Sequence, residues 1–169
     1  MSKVIALIYA EKDIPVQTYS EIHDLQKEGL LNLVDACEVE IKDNGKLKFE
    51  RGSTSIVSGW SDGFFLPAFV GLLFFHPQHQ VNDHVQKTLE EIALDKNFLR
   101  ALHEVVSPRN SVLFLLVDGE PEKKAMSRIS EHGGTLLEMT LSPGQLEKLQ
   151  NIFRGQTSAS PDMALNINP

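Results

Sequence analysis

The chain has 169 residues, a formal charge of −7 from 23 acidic against 16 basic residues, and a single cysteine. That length fits one domain with a core large enough to stand without disulfides or metals, and one cysteine excludes an intramolecular disulfide framework. The acidic balance, with no Lys/Arg cluster to track a phosphate backbone, argues against nucleic acid as a partner.

Met1 to Ile5 lacks the long apolar core and small-residue cleavage site of a signal peptide, so a cytoplasmic setting is expected. Val4 to Ile8 is a continuous apolar run rather than an alternating one, and reads as a central strand covered on both faces. Asp13 is placed to cap the next helix, Pro15 suits its first turn, and Tyr19, Ile22 and Leu25 form its apolar stripe up to Gly29. From Leu31 to Ile41 the period becomes two. Leu33, Cys37, Val39 and Ile41 share one face, opposite Val34, Ala36, Glu38 and Glu40. Asp43-Asn44-Gly45 supplies a tight hairpin turn, and Leu47 and Phe49 continue the apolar face on the return strand.

Next comes the stretch from Ser58 to Pro77, which holds five of the nine phenylalanines, at positions 64, 65, 69, 74 and 75. A membrane-spanning helix needs about 20 apolar residues, whereas the uncharged run from Gly63 to Phe75 is shorter and carries Pro67 inside it. It reads as a core cover, a lid or a subunit contact. Trp60, Phe64, Phe65, Leu66, Phe69, Leu72, Leu73, Phe74 and Phe75 are its candidate contact residues.

Asn82 or Asp83 is expected to cap a helix with the stripe Val85, Leu89 and Ile92. Asp95 starts another through Phe98, Leu99, Leu102 and Val106, stopped by Ser107-Pro108. Val112 to Val117 is a second continuous apolar strand. A helix with Ala125, Met126 and Ile129 follows Pro121, Gly133-Gly134 ends it, and Leu137, Met139 and Leu141 alternate as a last strand. Ser142-Pro143-Gly144-Gln145 has capping-box spacing and opens a helix with the stripe Leu146, Leu149 and Phe153.

Both ends of the chain therefore repeat one layout: buried strand, amphipathic helix, glycine, alternating strand. This predicts an α+β fold, a ferredoxin-like sheet of two split βαβ units, with a hairpin strand and the aromatic-helical segment inserted at about 52–106 and a helix at the C-terminal end. The two buried strands are expected to be adjacent and parallel. The domain is expected to span 1–155, with 156–169 as a flexible polar tail.

Several stretches resemble one bacterial family, the domain of unknown function 1269, whose members are often labelled predicted membrane proteins. The resemblance rests on Leu25 to Leu30 with Asp35-Ala36, on Asp43 to Lys46, on Gly71 to Phe75 with Pro77, on Phe98-Leu99 leading to Ser107-Pro108, on Ser111 to Val117, and on Gly133-Gly134 with Leu141-Ser142. It runs from about Val4 to Phe153 and includes no catalytic motif, so it implies a fold and no known activity. Where the family continues into a second apolar run rich in glycine and alanine, this sequence has the polar helical segment His76 to Val106.

His76, His79 and His84 with Asp83 are the cluster whose residue types suit a divalent metal, set against the reading of a polar turn before a capped helix. Ser53-Thr54-Ser55 lacks the lysine and spacing of a phosphate loop. Glu90 and Glu91 are adjacent on a helix and point apart. His103 reads as a surface or boundary residue, and Cys37 as a buried thiol rather than a nucleophile. The sequence thus predicts a non-enzymatic protein with no cofactor that forms a homo-oligomer, a dimer by preference. A small-molecule sensor with the aromatic segment as lid is the second reading, and membrane-surface association the third.

Overall fold

The two continuous apolar runs become strands β1 (Ser2–Tyr9) and β4 (Ser111–Asp118), and every residue of β1 and all but the last of β4 are buried. Strands with no water-facing side need cover on both faces. The computed structural model, which describes residues 1–50, 65–75 and 90–159, supplies it. The chain continues through α1 (Val16–Lys27), β2 (Leu33–Ile41), β3 (Leu47–Glu50), α2 (Phe65–Phe75), α3 (Lys96–Val105), α4 (Lys123–Ser130), β5 (Thr135–Leu141) and α5 (Pro143–Ala159). One five-stranded sheet has the order β3-β2-β4-β1-β5, giving an α+β fold with two split βαβ units and a closing helix.

The buried strands are adjacent, as expected, but antiparallel rather than parallel, with Val4 opposite Leu116 and Ile8 opposite Val112. The reason is the interlock. Each βαβ unit makes its own two strands parallel but leaves a gap one strand wide, and a strand of the other unit fills it running the opposite way. Thus β4 lies between β1 and β2, and β1 lies between β4 and β5, with every ladder antiparallel. A run buried on both faces carries no mark of direction, so the pattern of side chains could not tell the two cases apart.

Alternation along the strands divides the interior into two cores. Ile5 and Leu7 of β1, with Leu113 and Leu115 of β4, pack under Ile22 and Leu25 of α1 and Ala125 and Ile129 of α4. Val4, Ala6 and Ile8, with Phe114 and Leu116, pack under α2, α3 and α5. The helices therefore occupy both faces, and the face left open by the two βαβ units is the one that the aromatic segment covers.

Strand β2 departs from simple alternation. A bulge between Leu33 and Asp35 shifts the register against β4, so Leu33 joins the α1/α4 core while Cys37, Val39 and Ile41 join the other. The expected shared face of Leu33 and Cys37 fails for that reason, since one extra residue reverses every side chain beyond it. Asp13 does not cap α1. Its N-cap is Pro15, with no side-chain hydrogen bond, and Pro15 suits the site because the amide it lacks would have no helical partner.

Other local signals hold among the described residues, while the cap at Asn82 or Asp83 and the helix start expected there lie outside them. Asp95 Oδ1 accepts from Asn97 N at 2.9 Å and Phe98 N at 3.2 Å, capping α3. Ser142 and Gln145 exchange reciprocal bonds of 2.8 and 3.1 Å at the start of α5, a complete capping box. That helix runs on to Ala159, into the stretch expected to be tail. Gly134, at φ +82°, must be glycine, because a Cβ there would lie 2.8 Å from the Tyr9 ring.

Candidate functional site

Helix α2 reads Phe-Leu-Pro-Ala-Phe-Val-Gly-Leu-Leu-Phe-Phe, apolar around its whole circumference. A helix of this kind must be surrounded, and one resting on a sheet is covered only from below. Pro67 sits in the first turn, where its missing N–H costs no helical bond. Phe65, Leu66, Phe69 and Leu73 are buried in the chain's own core, and Leu72 and Phe74 are half-buried.

Aromatic contacts set the helix on three neighbours. The Phe65 ring stacks with Phe69 at 5.7 Å and meets Phe153 of α5 edge-on at 5.4 Å. Phe74 stands edge-on to Phe114 of the sheet at 6.0 Å and to His103 of α3 at 6.3 Å. These offset and T-shaped geometries are the favoured ones for rings of this polarity.

Both ends of α2 are held by polar side chains from other elements. Asp35, next to the β2 bulge and almost fully buried, accepts from Leu66 N at 3.2 Å through Oδ2 and from Ala36 N at 2.8 Å through Oδ1. Burial pushes its carboxyl above the usual range, and the two backbone donors pull it back. At the other end His103 Nε2 lies 3.0 Å from the Leu73 carbonyl. A carbonyl can only accept, so this nitrogen carries the proton. Carboxylate at the N-terminus and imidazole donor at the C-terminus both complement the helix dipole.

Beside α2, a cavity of about 150 Å³ is walled by Leu72, Leu73, Leu94 and Leu99, with Glu90 and Lys96 at its rim. Its lining among the described residues comes from α2, α3 and the chain just before α3, with no strand residue in it. Its floor is apolar and its rim carries one charge of each sign.

Of the candidate residues from the sequence, Phe65, Leu66, Phe69, Leu72, Leu73 and Phe74 are thus brought together on α2, and Phe75 ends that helix. Trp60, Phe64, the loop Ser53-Thr54-Ser55 and the cluster His76, His79, Asp83 and His84 lie outside the described residues. Among the described residues no group of three or more His, Cys, Asp or Glu could hold a metal ion. Asp35 and His103 anchor α2 in roles that sequence reasoning did not assign, although His103 is exposed, as its reading as a surface or boundary residue has it. Asp35 carried a signal, because period-two counting sets it on the same side of the strand as Cys37, a carboxylate in an apolar row.

Cys37 is buried beneath α2, and burial, followed by the negative charges of Asp35 and Glu38, pushes its thiol far above the ordinary range. Its reaction with a disulfide reagent under native conditions is expected to be slower by about 10³-fold or more than in the urea-unfolded chain, the factor set by the population of open states. Labelling at the rate of a free thiol would contradict this packing.

A family model described as "Protein of unknown function (DUF1269)" matches residues 61–154. The match takes in α2, the cavity beside it, β4, β5 and the start of α5, while the quoted stretches before residue 61 lie outside it. No curated protein and no solved structure matches the chain.

Proposed function

The chain belongs to the DUF1269 family of proteins of unknown function, and from that premise we propose a non-enzymatic protein that self-associates as a dimer. In this reading α2 serves first as the cover of its own sheet, and its outer flank receives a second copy. The observation that carries it is the cavity of about 150 Å³ formed by leucines of α2 and α3 and of the chain between them. Sites for whole small molecules run to roughly 300–1,000 Å³, whereas about 150 Å³ suits a group the size of one benzene ring. A single Leu or Phe side chain from a partner fits that room. The size therefore supports a knob-in-hole contact over a ligand beneath a lid.

The half-buried Leu72, Phe74, Leu94 and Leu99 extend the apolar surface around the hole, and a pair of such patches related by a two-fold axis buries each against its copy. Among the described residues no helix is long and apolar enough to cross a membrane. A cytoplasmic setting suits the proposal, since the lone thiol of Cys37 stays reduced there.

Sedimentation velocity from about 1 µM to about 1 mM is expected to show a monomer–dimer equilibrium within that range. Leu94→Glu and Leu99→Glu should each weaken it by about 100-fold or more, by burying an unpaired charge, with far-ultraviolet circular dichroism unchanged. A chain still monomeric at the highest concentration would overturn the proposal.

A further inference from the structure

At the end of the sheet where β1 and β2 finish and β4 begins, three connections line an open cleft of about 730 Å³. The segment after β1 contributes Lys12, the end of β2 and the hairpin turn contribute Glu40, Lys42 and Asp43, and the turn between α3 and β4 contributes Arg109. The volume falls in the range of small-molecule sites.

Arg109 is the unusual member. Its φ is +72°, a left-handed backbone that side-chain-bearing residues seldom adopt. The turn is held there from several sides: Arg109 N donates to the Ile41 carbonyl at 2.7 Å, Ile41 N donates to the Asn110 carbonyl at 2.9 Å, and Asn110 Oδ1 accepts from Ser107 N at 2.7 Å. Glycine would occupy that position without strain, yet the residue there is arginine. Strain retained at a non-glycine residue on the wall of a cleft is the kind of outlier from which a binding role is inferred.

Charge supplies the sign. Three cations, Lys12, Lys42 and Arg109, face two carboxylates in a chain whose overall charge is −7. Lys12 stands 4.0 Å from Glu40, and Arg109 Nε donates to Asp43 at 2.7 Å, while Lys42 forms no ion pair with a described residue. Exposed pairs of this kind exchange readily for a better anion, and a guanidinium with two ammonium groups around it is a donor set for phosphate oxygens.

We propose that this cleft binds the phosphate group of a small organic phosphate ester, with Arg109, Lys42 and Lys12 as the donors to its oxygens. An ester is preferred over bare phosphate because a phosphate ion fills only a fraction of the cleft. The site is separate from the α2 flank and does not depend on self-association.

The test is a nuclear magnetic resonance titration of the full chain with glycerol 3-phosphate and with inorganic phosphate at constant ionic strength. Saturable shifts are expected at the amides of Lys42, Asp43, Asn44 and Arg109, with a dissociation constant at or below about 1 mM for the ester and no tighter for phosphate. Arg109→Gly preserves the left-handed turn, so it should keep the fold while weakening binding by about tenfold or more, and Lys42→Ala should act in the same direction. Shifts that never saturate for either anion, or unchanged affinity in both variants, would overturn the assignment. So would tighter binding of a single-stranded oligonucleotide, which would make the cleft part of a polymer-binding surface.

Discussion

Phe69→Ala is expected to lower the free energy of unfolding by about 3–5 kcal/mol, the usual cost of emptying a phenylalanine site in a core. Phe69 is fully buried within its own chain, stacked on Phe65 at 5.7 Å and packed in the core with Phe114. Whole domains of this kind have about 5–15 kcal/mol in all, so the substitution removes a large share of it. Urea unfolding should show the loss as a lower midpoint at unchanged slope. It should also be the same at low and high protein concentration, because a side chain buried by its own sheet contributes without a partner. A loss that appears only at high protein concentration would mean that α2 leaves its sheet in the isolated chain.

Asp35→Ala is expected to cost about 2–4 kcal/mol, by leaving the buried N–H groups of Ala36 and Leu66 without an acceptor. Asn in its place can accept only one of the two bonds, so Asp35→Asn should fall between wild type and alanine. The two carboxylate oxygens are used separately, and an amide has one.

This carboxylate also sets a pH dependence. Its folded value is raised by burial, so between the unfolded value of about 3.9 and the raised one the native chain holds more proton than the unfolded chain. The contribution of Asp35 is therefore fullest below that window and declines as pH rises through it. Glu21 behaves in the opposite sense. Arg128, which grips both its oxygens at 3.0 Å, holds its carboxyl below the usual range, so its contribution is present above its unfolded value and lost as pH falls. The difference in stability between wild type and Asp35→Asn should slope downward as pH rises from about 4, and an upward slope would show that its surroundings favour the carboxylate.

What the sequence made legible was local. The Asp95 cap, the Ser142–Gln145 box and the turn at Gly45 each depend on residues within a few positions of one another, and each stands as read. The α+β layout followed from the same kind of signal, repeated at both ends of the chain. What was not legible was relational. Strand direction leaves no trace in a run buried on both faces, and the bulge at Leu33 is fixed by pairing with β4, far along the chain. The anchors of α2 come from 31 positions before Leu66 and 30 after Leu73, distances at which no periodicity speaks. The strain at Arg109 is a property of backbone angle, which its identity alone would argue against.

The interlocked strand order has a consequence for the birth of the protein. Strands β1 and β2 are not paired with each other; each is paired with β4, which begins at Ser111. At a synthesis rate of roughly 5–20 residues per second, β1 is made on the order of 5–20 seconds before its first partner emerges. For that interval its apolar row, and soon α2 as well, have no sheet to join. Folding must then wait for the second half of the chain and proceed through contacts distant in sequence, the slow class of topology. A nascent chain stalled before residue 111 would hold a hairpin and loose apolar segments rather than half a domain, and should need a chaperone to stay in solution.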